Sequence, residues 1–280
     1  MLLWDSARPV AAPIKLVEHL AHVSAVAVLA DGRVVTGWDD GEVLACDPAR
    51  PGSPPIRLGD HVSWASSWSS PMSLAMATLG DGRVLTGGGN RALVWDPNRP
   101  GAAPIVLGED ASEGYVYSVN AVGVFADGRV VTGGDDMLVV WDPDHLDVAP
   151  IVLGANVGWV RAVAVLADGR VVTGGDDGRV LAWDPARSDA APVLLGEHSG
   201  GVWAVTVLAD GRVVTSGGDR MVRVWDSMGE TPLAEIACHA SAVAASASAE
   251  RRESRLALAE GRAGWSLWSL ADRRGGTTGR

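Results

Sequence analysis

The chain has 280 residues, a net charge of −11 and 47% hydrophobic residues, with 35 glycines, 15 prolines and a single lysine, Lys15. The acidic balance argues against a general nucleic-acid binder, which needs a basic surface to displace counterions. The scarcity of lysine removes Walker-loop, kinase-type and Ser–Lys chemistry from everything after residue 15.

Two cysteines, Cys46 and Cys238, are too few for a disulfide framework and read as thiols of a reducing compartment. No basic-plus-apolar leader and no apolar run of 18 or more residues is present, so the expectation is a cytoplasmic protein with no membrane contact.

Taken in order, residues 1–22 form a partial unit. Met1–Asp5 has the pattern of a third strand and Pro13–Val17 that of a fourth. Five complete units follow, each predicted as four short strands. The first strands are apolar runs: Val23–Leu29, Met72–Leu79, Val116–Phe125, Val160–Leu166 and Val202–Leu208. Such continuous apolar character implies burial on both faces. Asp-Gly then turns the chain into an Arg-Val-Val-Thr strand, because this dipeptide accepts the positive φ of a tight hairpin. A Gly/Asp-rich turn leads to a third strand that ends in Trp-Asp, and a Pro-containing linker leads to the fourth. A degraded sixth unit spans 241–268, and 271–280 is predicted as a disordered tail.

The cassette is clearest in Leu166–Pro185, and Trp-Asp recurs at Trp95-Asp96, Trp141-Asp142, Trp183-Asp184 and Trp225-Asp226. Cys46-Asp47 takes its place in the first unit. A period of about 40–45 residues ending in Trp-Asp resembles the WD40-repeat family. The style of repeat is similar to bacterial WD-repeat proteins, free-standing or at the C-terminus of larger signalling proteins. The resemblance implies an all-β fold, a β-propeller of four-stranded antiparallel blades over residues 1–270. Strand counting favours six blades, closed by pairing of 13–17 with 264–268. A truncated seven-bladed ring is the alternative.

The family's buried network of His, Ser/Thr, Asp and Trp matches His198, Thr215, Asp219 and Trp225 in the fifth unit. The others depart from it. The first has Cys46 for Trp, the fourth has Asn156 for His, and in the second His61 is displaced by a long loop.

Chemistry beyond this is sparse. The pairs Asp39-Asp40, Asp135-Asp136 and Asp176-Asp177 invite a calcium reading, but no nine-residue tandem period accompanies them. No metal spacing joins the six histidines, and no nucleophile elbow or Cys/His signature appears, so neither metal, cofactor nor enzymatic activity is expected. Arg33, Arg83, Arg129, Arg170 and Arg212 follow the five Asp-Gly turns. They are open to two readings, an anion-binding ring or arginines neutralised by their neighbouring aspartates.

Twelve tryptophans stand against one Phe and two Tyr. Trp38, Trp64, Trp68, Trp159, Trp203 and Trp265 are not explained by the repeat. The loops 59–71 and 109–115 are longer than their counterparts by about eight and about five residues, and both precede first strands. In the family these loops share the top face. The expectation is a non-catalytic scaffold or sensor that binds a protein or peptide there. Trp38, Trp64, Trp68 and Tyr115 would anchor it, with Trp159 and Trp203 at the start of the fourth and fifth first strands. A small-ligand or glycan-binding propeller is the alternative.

Overall fold

The computed structural model describes residues 1–3, 13–61, 74–108, 118–155, 158–226, 231–237, 240–247, 254–260 and 264–270. The described residues form two compact units, Met1–Val157 and Gly158–Arg280. They contain β-strands and one 3-10 turn, Pro185–Arg187.

The first unit holds three four-stranded antiparallel sheets. Sheet one is Val23–Val28, Val34–Trp38, Glu42–Cys46 and Ile56–Asp60. Sheet two is Ala75–Thr78, Val84–Gly88, Arg91–Trp95 and Ile105–Leu107. Sheet three is Val119–Val124, Val130–Gly134, Met137–Trp141 and Ile151–Ala155. The second unit holds two more. Sheet four is Val160–Val165, Val171–Gly175, Arg179–Trp183 and Val193–Glu197, and sheet five is Val202–Val207, Val213–Gly217, Met221–Trp225 and Pro232–Ala237. A sixth, three-stranded sheet follows: Ala240–Ala247, Ser254–Glu260 and Gly264–Leu270. In every sheet the strands pair in chain order.

Sequential pairing follows from the turns. In the first hairpin Gly32 N–H donates to Leu29 O at 2.9 Å and Leu29 N–H to Arg33 O at 2.9 Å. Gly32 has φ +87, and a Cβ there would meet nothing within 4 Å. The glycine is therefore demanded by conformation, not by crowding: a three-residue loop with its last residue left-handed. Asp31 supports it by accepting from Arg33 N at 3.0 Å.

Burial is concentrated in the second strands, such as Val34–Trp38 and Val213–Gly217, which are buried at every position. The first strands are not buried on both faces, contrary to the expectation from their apolar runs. Val26 and Val28 are 47% and 62% exposed. Sheet order explains this: a first strand is an edge with one neighbour, whereas a second strand has neighbours on both sides.

The predicted pairing of 13–17 with 264–268 is also corrected. Ile14–Lys15 pairs with Leu2–Leu3, and Leu16 N–H donates to Met1 O at 3.2 Å. Leu16 and Val17 then join a core of Val34, Trp38, Leu44 and Cys46. A partner so near in sequence costs little loop-closure entropy.

Adjacent sheets within a unit pack through a glycine. A Cβ at Gly59 would lie 2.6 Å from Cζ3 of Trp95, and one at Gly196 only 2.1 Å from Cζ3 of Trp225. The tryptophan that ends a third strand thus packs its six-membered ring against the fourth strand of the preceding sheet.

Candidate interaction surface

The fifth sheet shows how the repeat satisfies its buried polar groups. Trp225 Nε1 donates to Thr215 Oγ1 at 2.8 Å, Thr215 Oγ1 lies 2.7 Å from His198 Nε2, and His198 Nδ1 lies 2.9 Å from Asp219 Oδ1. With Nδ1 protonated the chain runs indole to hydroxyl, hydroxyl to Nε2 and Nδ1–H to carboxylate, and Arg223 Nη1, 2.6 Å from Nδ1, donates to the same carboxylate. Burial holds the His198 pKa below its ordinary 6.5 despite Asp219. Burial would raise Asp219, but Arg223 and His198 donate to it and bring it down to about 2.

In the second sheet His61 is fully buried and not displaced, which corrects the expectation for that repeat. Its Nδ1 lies 2.9 Å from Thr86 Oγ1 and its Nε2 2.9 Å from Gly88 O. A backbone carbonyl takes the place of the missing aspartate, so the ring presents its other nitrogen to the threonine. Trp141 and Trp183 donate to Thr132 and Thr173, each at 2.9 Å. Asn156 lies outside the described residues.

The first sheet solves the loss of its Trp differently. Trp38 is 2% exposed, donates from Nε1 to Thr36 Oγ1 at 3.0 Å and stacks on His19 with ring centroids 4.4 Å apart. It supplies from the second strand the indole N–H that Cys46 lacks on the third. Trp38 is therefore a core residue and leaves the set of surface aromatics. Trp64, Trp68 and Tyr115 lie outside the described residues.

Trp159 and Trp203 stand out of the surface, 53% and 54% exposed. The cause at Trp203 is a β-bulge. Val202 pairs with Gly217 and Ala204 with Ser216, so Trp203 has no cross-strand partner and is turned outward. The same bulge recurs at Ser24, Asn120 and Arg161. At two of these positions the bulged side chain reaches the first aspartate of the following turn: Asn120 Nδ2 donates to Asp135 at 2.9 Å and Arg161 Nε to Asp176 at 2.6 Å. In the fifth repeat Gly218 replaces that aspartate, and a Cβ there would lie 2.9 Å from Trp203 Nε1. Arg161 also lies over the Trp159 ring, 5.7 Å from its centroid. Sequence reasoning passed over Arg161 and Gly218, and weighed Asp176 only as a calcium ligand. Their signal is the varying residue that follows the first valine of each first strand.

The second aspartates of the turns act on backbone. Asp40, Asp177 and Asp219 accept from Glu42 N, Arg179 N and Met221 N at 3.0–3.1 Å. Among the described residues no three His, Cys, Asp or Glu side chains gather as a metal-binding group.

The hairpin arginines each pair with the aspartate two residues earlier, as in Arg33–Asp31 at 2.7 Å and Arg212–Asp210 at 2.6 Å. Arg33 and Arg83 reach on to Asn98 and Asp144 of the next linker. These are neutralised clamps rather than an anion ring. A cavity of about 480 Å³ lies at this end of the fourth sheet, lined by Asp168, Arg170, Trp183, Arg187 and Val193. It is at the opposite end of the first strand from Trp159.

A model of the WD domain, G-beta repeat family matches residues 151–184 and 193–226. Each match runs from a fourth strand through the next Trp-Asp. Residues 151–184 and 193–226 are WD40 repeats. The four-stranded sheets of the chain are β-propeller blades of the WD type, and the shift between repeat and sheet is why Gly196 of one blade meets Trp225 of the next. WD40 repeats mediate protein–protein interaction, and their propellers are in general non-catalytic. No curated protein sequence matches the chain. No helix among the described residues is long and apolar enough to cross a membrane.

Proposed function

We propose that this protein is a non-catalytic scaffold or sensor module that holds a protein or peptide on the blade ends carrying Trp159 and Trp203. The observation that supports this is the exposure of two large indoles on neighbouring first strands. By contrast Trp38, Trp95, Trp183 and Trp225 are buried and Trp141 is partly buried. Burying such rings gives the largest return of any side chain at an interface. The strands beneath Trp203 are tied by the buried Trp225–Thr215–His198–Asp219 chain, and those beneath Trp159 by the Trp183–Thr173 bond. Trp64, Trp68 and Tyr115, on loops that precede first strands in the sequence, are proposed as further partner contacts. The net charge of −11 supports a protein partner over nucleic acid and is in keeping with a cytoplasmic location.

The test is partner capture on the immobilised full chain, compared with a Trp159→Ser/Trp203→Ser double variant. Loss of capture with an unchanged melting temperature is expected, at about 2 kcal/mol or more per true anchor. Capture unaffected by the double variant, but lost on mutating residues lining the Arg170–Arg187 cavity, would overturn the reading in favour of a small-ligand site.

A further inference from the structure

The surface of the fourth and fifth blades already holds one guanidinium, and its setting shows what chemistry that surface accepts. Arg161 lies over the indole of Trp159 at 5.7 Å, while its Nε donates to Asp176 Oδ1 at 2.6 Å. This is an aromatic face and a carboxylate sharing one planar cation. The fifth blade repeats half of that arrangement. Trp203 occupies the bulge position of Arg161, and Gly218 that of Asp176. Among the described residues no cation lies over Trp203.

The ground between the two blades is backbone. A Cβ at Gly201 would lie 3.0 Å from Asp176 Oδ1, and one at Gly218 would lie 3.7 Å from Gly201 N and 2.9 Å from Trp203 Nε1. The Asp176 carboxylate lies beside Gly201 and the Trp203 indole beside Gly218, so the two flank a floor of two glycines. Asp176 is half exposed. Around it Asp177 and Glu197, both exposed, share Arg179 at 3.7 Å. Three carboxylates, Asp176, Asp177 and Glu197, thus stand with three guanidiniums, Arg161, Arg179 and the exposed Arg220 of the Gly218 turn, in a chain of net charge −11.

Resting on the function proposed above, we infer that the partner segment bears an arginine, whose side chain crosses the glycine floor, stacks on Trp203 and turns its guanidinium toward Asp176. Arginine fits better than lysine because a planar, weakly hydrated guanidinium can stack on an indole and fork to a carboxylate at once. An acidic segment is repelled.

The experiment is a titration of the ¹⁵N-labelled full chain with the peptide acetyl-Gly-Ser-Arg-Ser-Gly-amide, beside Lys and Glu versions at the central position. The signals followed are the Trp203 indole N–H, identified by its loss in Trp203→Phe, and the Gly201 and Gly218 amides. The arginine peptide is expected to shift all three saturably, the lysine peptide to bind more weakly, and the glutamate peptide to shift none. Asp176→Asn, at an exposed side chain, should weaken the arginine peptide about three- to fivefold, and 0.5 M salt should weaken it further.

Equal shifts from the glutamate peptide, or an arginine affinity indifferent to both Asp176→Asn and Trp203→Ser, would overturn the inference. If partner capture depends on Trp203 while the arginine peptide shifts nothing, the inference fails and the interaction surface stands. If capture is indifferent to Trp159 and Trp203, the surface itself fails.

Discussion

The contact between Gly196 and Trp225 gives the sharpest test of how these blades hold together. A methyl group added by Gly196→Ala would sit 2.1, 2.4 and 3.0 Å from three carbons of the indole. Carbon–carbon contacts are comfortable only at about 3.5–4.0 Å, so the ring would have to move by more than an ångström. It has nowhere to go: Trp225 is 1% exposed and its Nε1 is bonded to Thr215 at 2.8 Å. Overpacking of this kind costs about 1–3 kcal/mol, and stretching or losing the indole hydrogen bond adds about 1 more. The expected total is about 2–4 kcal/mol, or a fall in Tm of about 5–15 °C for a domain of this size.

Gly211→Ala is the control. Gly211 has φ +87 but nothing within 4 Å of its missing Cβ, so alanine there meets only the left-handed penalty of about 1–2 kcal/mol. Both variants and wild type would be compared by urea and thermal unfolding, together with Gly196→Ala on a Trp225→Leu background. The smaller side chain should absorb the methyl, giving a favourable coupling of about 1–2 kcal/mol. Gly196→Ala no worse than Gly211→Ala, or two changes that add without coupling, would refute the packing argument.

Thr215→Val should cost about 1–3 kcal/mol, because it leaves both the Trp225 indole N–H and His198 Nε2 without their partner; a cycle with Trp225→Phe showing no coupling would disprove the chain of bonds. Stability should fall in acid. The folded pKa of Asp219 is about 2 against an ordinary 3.8, so the unfolded state binds its proton first. The resulting stabilisation of about 2 kcal/mol is complete above pH 5 and is lost as pH drops through 3.8 toward 2, and Asp219→Asn should flatten that part of the urea-midpoint profile. The His198 pKa lies below 6.5 in the folded protein, so a further loss begins as pH falls below 6.5 and should vanish in His198→Gln. Trp38→Phe should lower Tm, since Thr36 loses its indole donor, whereas Trp203→Ser should leave Tm within about a degree; equal effects from the two would contradict their assignment to core and surface.

What the sequence alone determined about this protein is everything that local chemistry dictates. The Asp-Gly-Arg cassette makes its turn whatever surrounds it, because glycine alone enters the left-handed region freely and aspartate caps its own neighbours. Trp-Asp-Pro ends the third strand of the second, third and fourth units within a few residues of itself. These signals repeat, so strand order and the WD40 character could be read directly.

The tertiary structure decided which side chains meet across distance. Trp38 looked like an unexplained surface aromatic until folding placed its N–H on Thr36, where the Cys46 position needed one. The long loop after Asp60 seemed to displace His61, but the buried hydroxyl of Thr86 requires a partner and His61 turns its ring to supply it. The exposure of Trp203 rests on a one-residue bulge, a register fact fixed by pairing with Gly217 and Ser216 and invisible along one strand. A hydrophobic pattern reports how much surface a segment must bury; only packing decides which neighbour buries it, because contact energy depends on distances that no single stretch of chain contains.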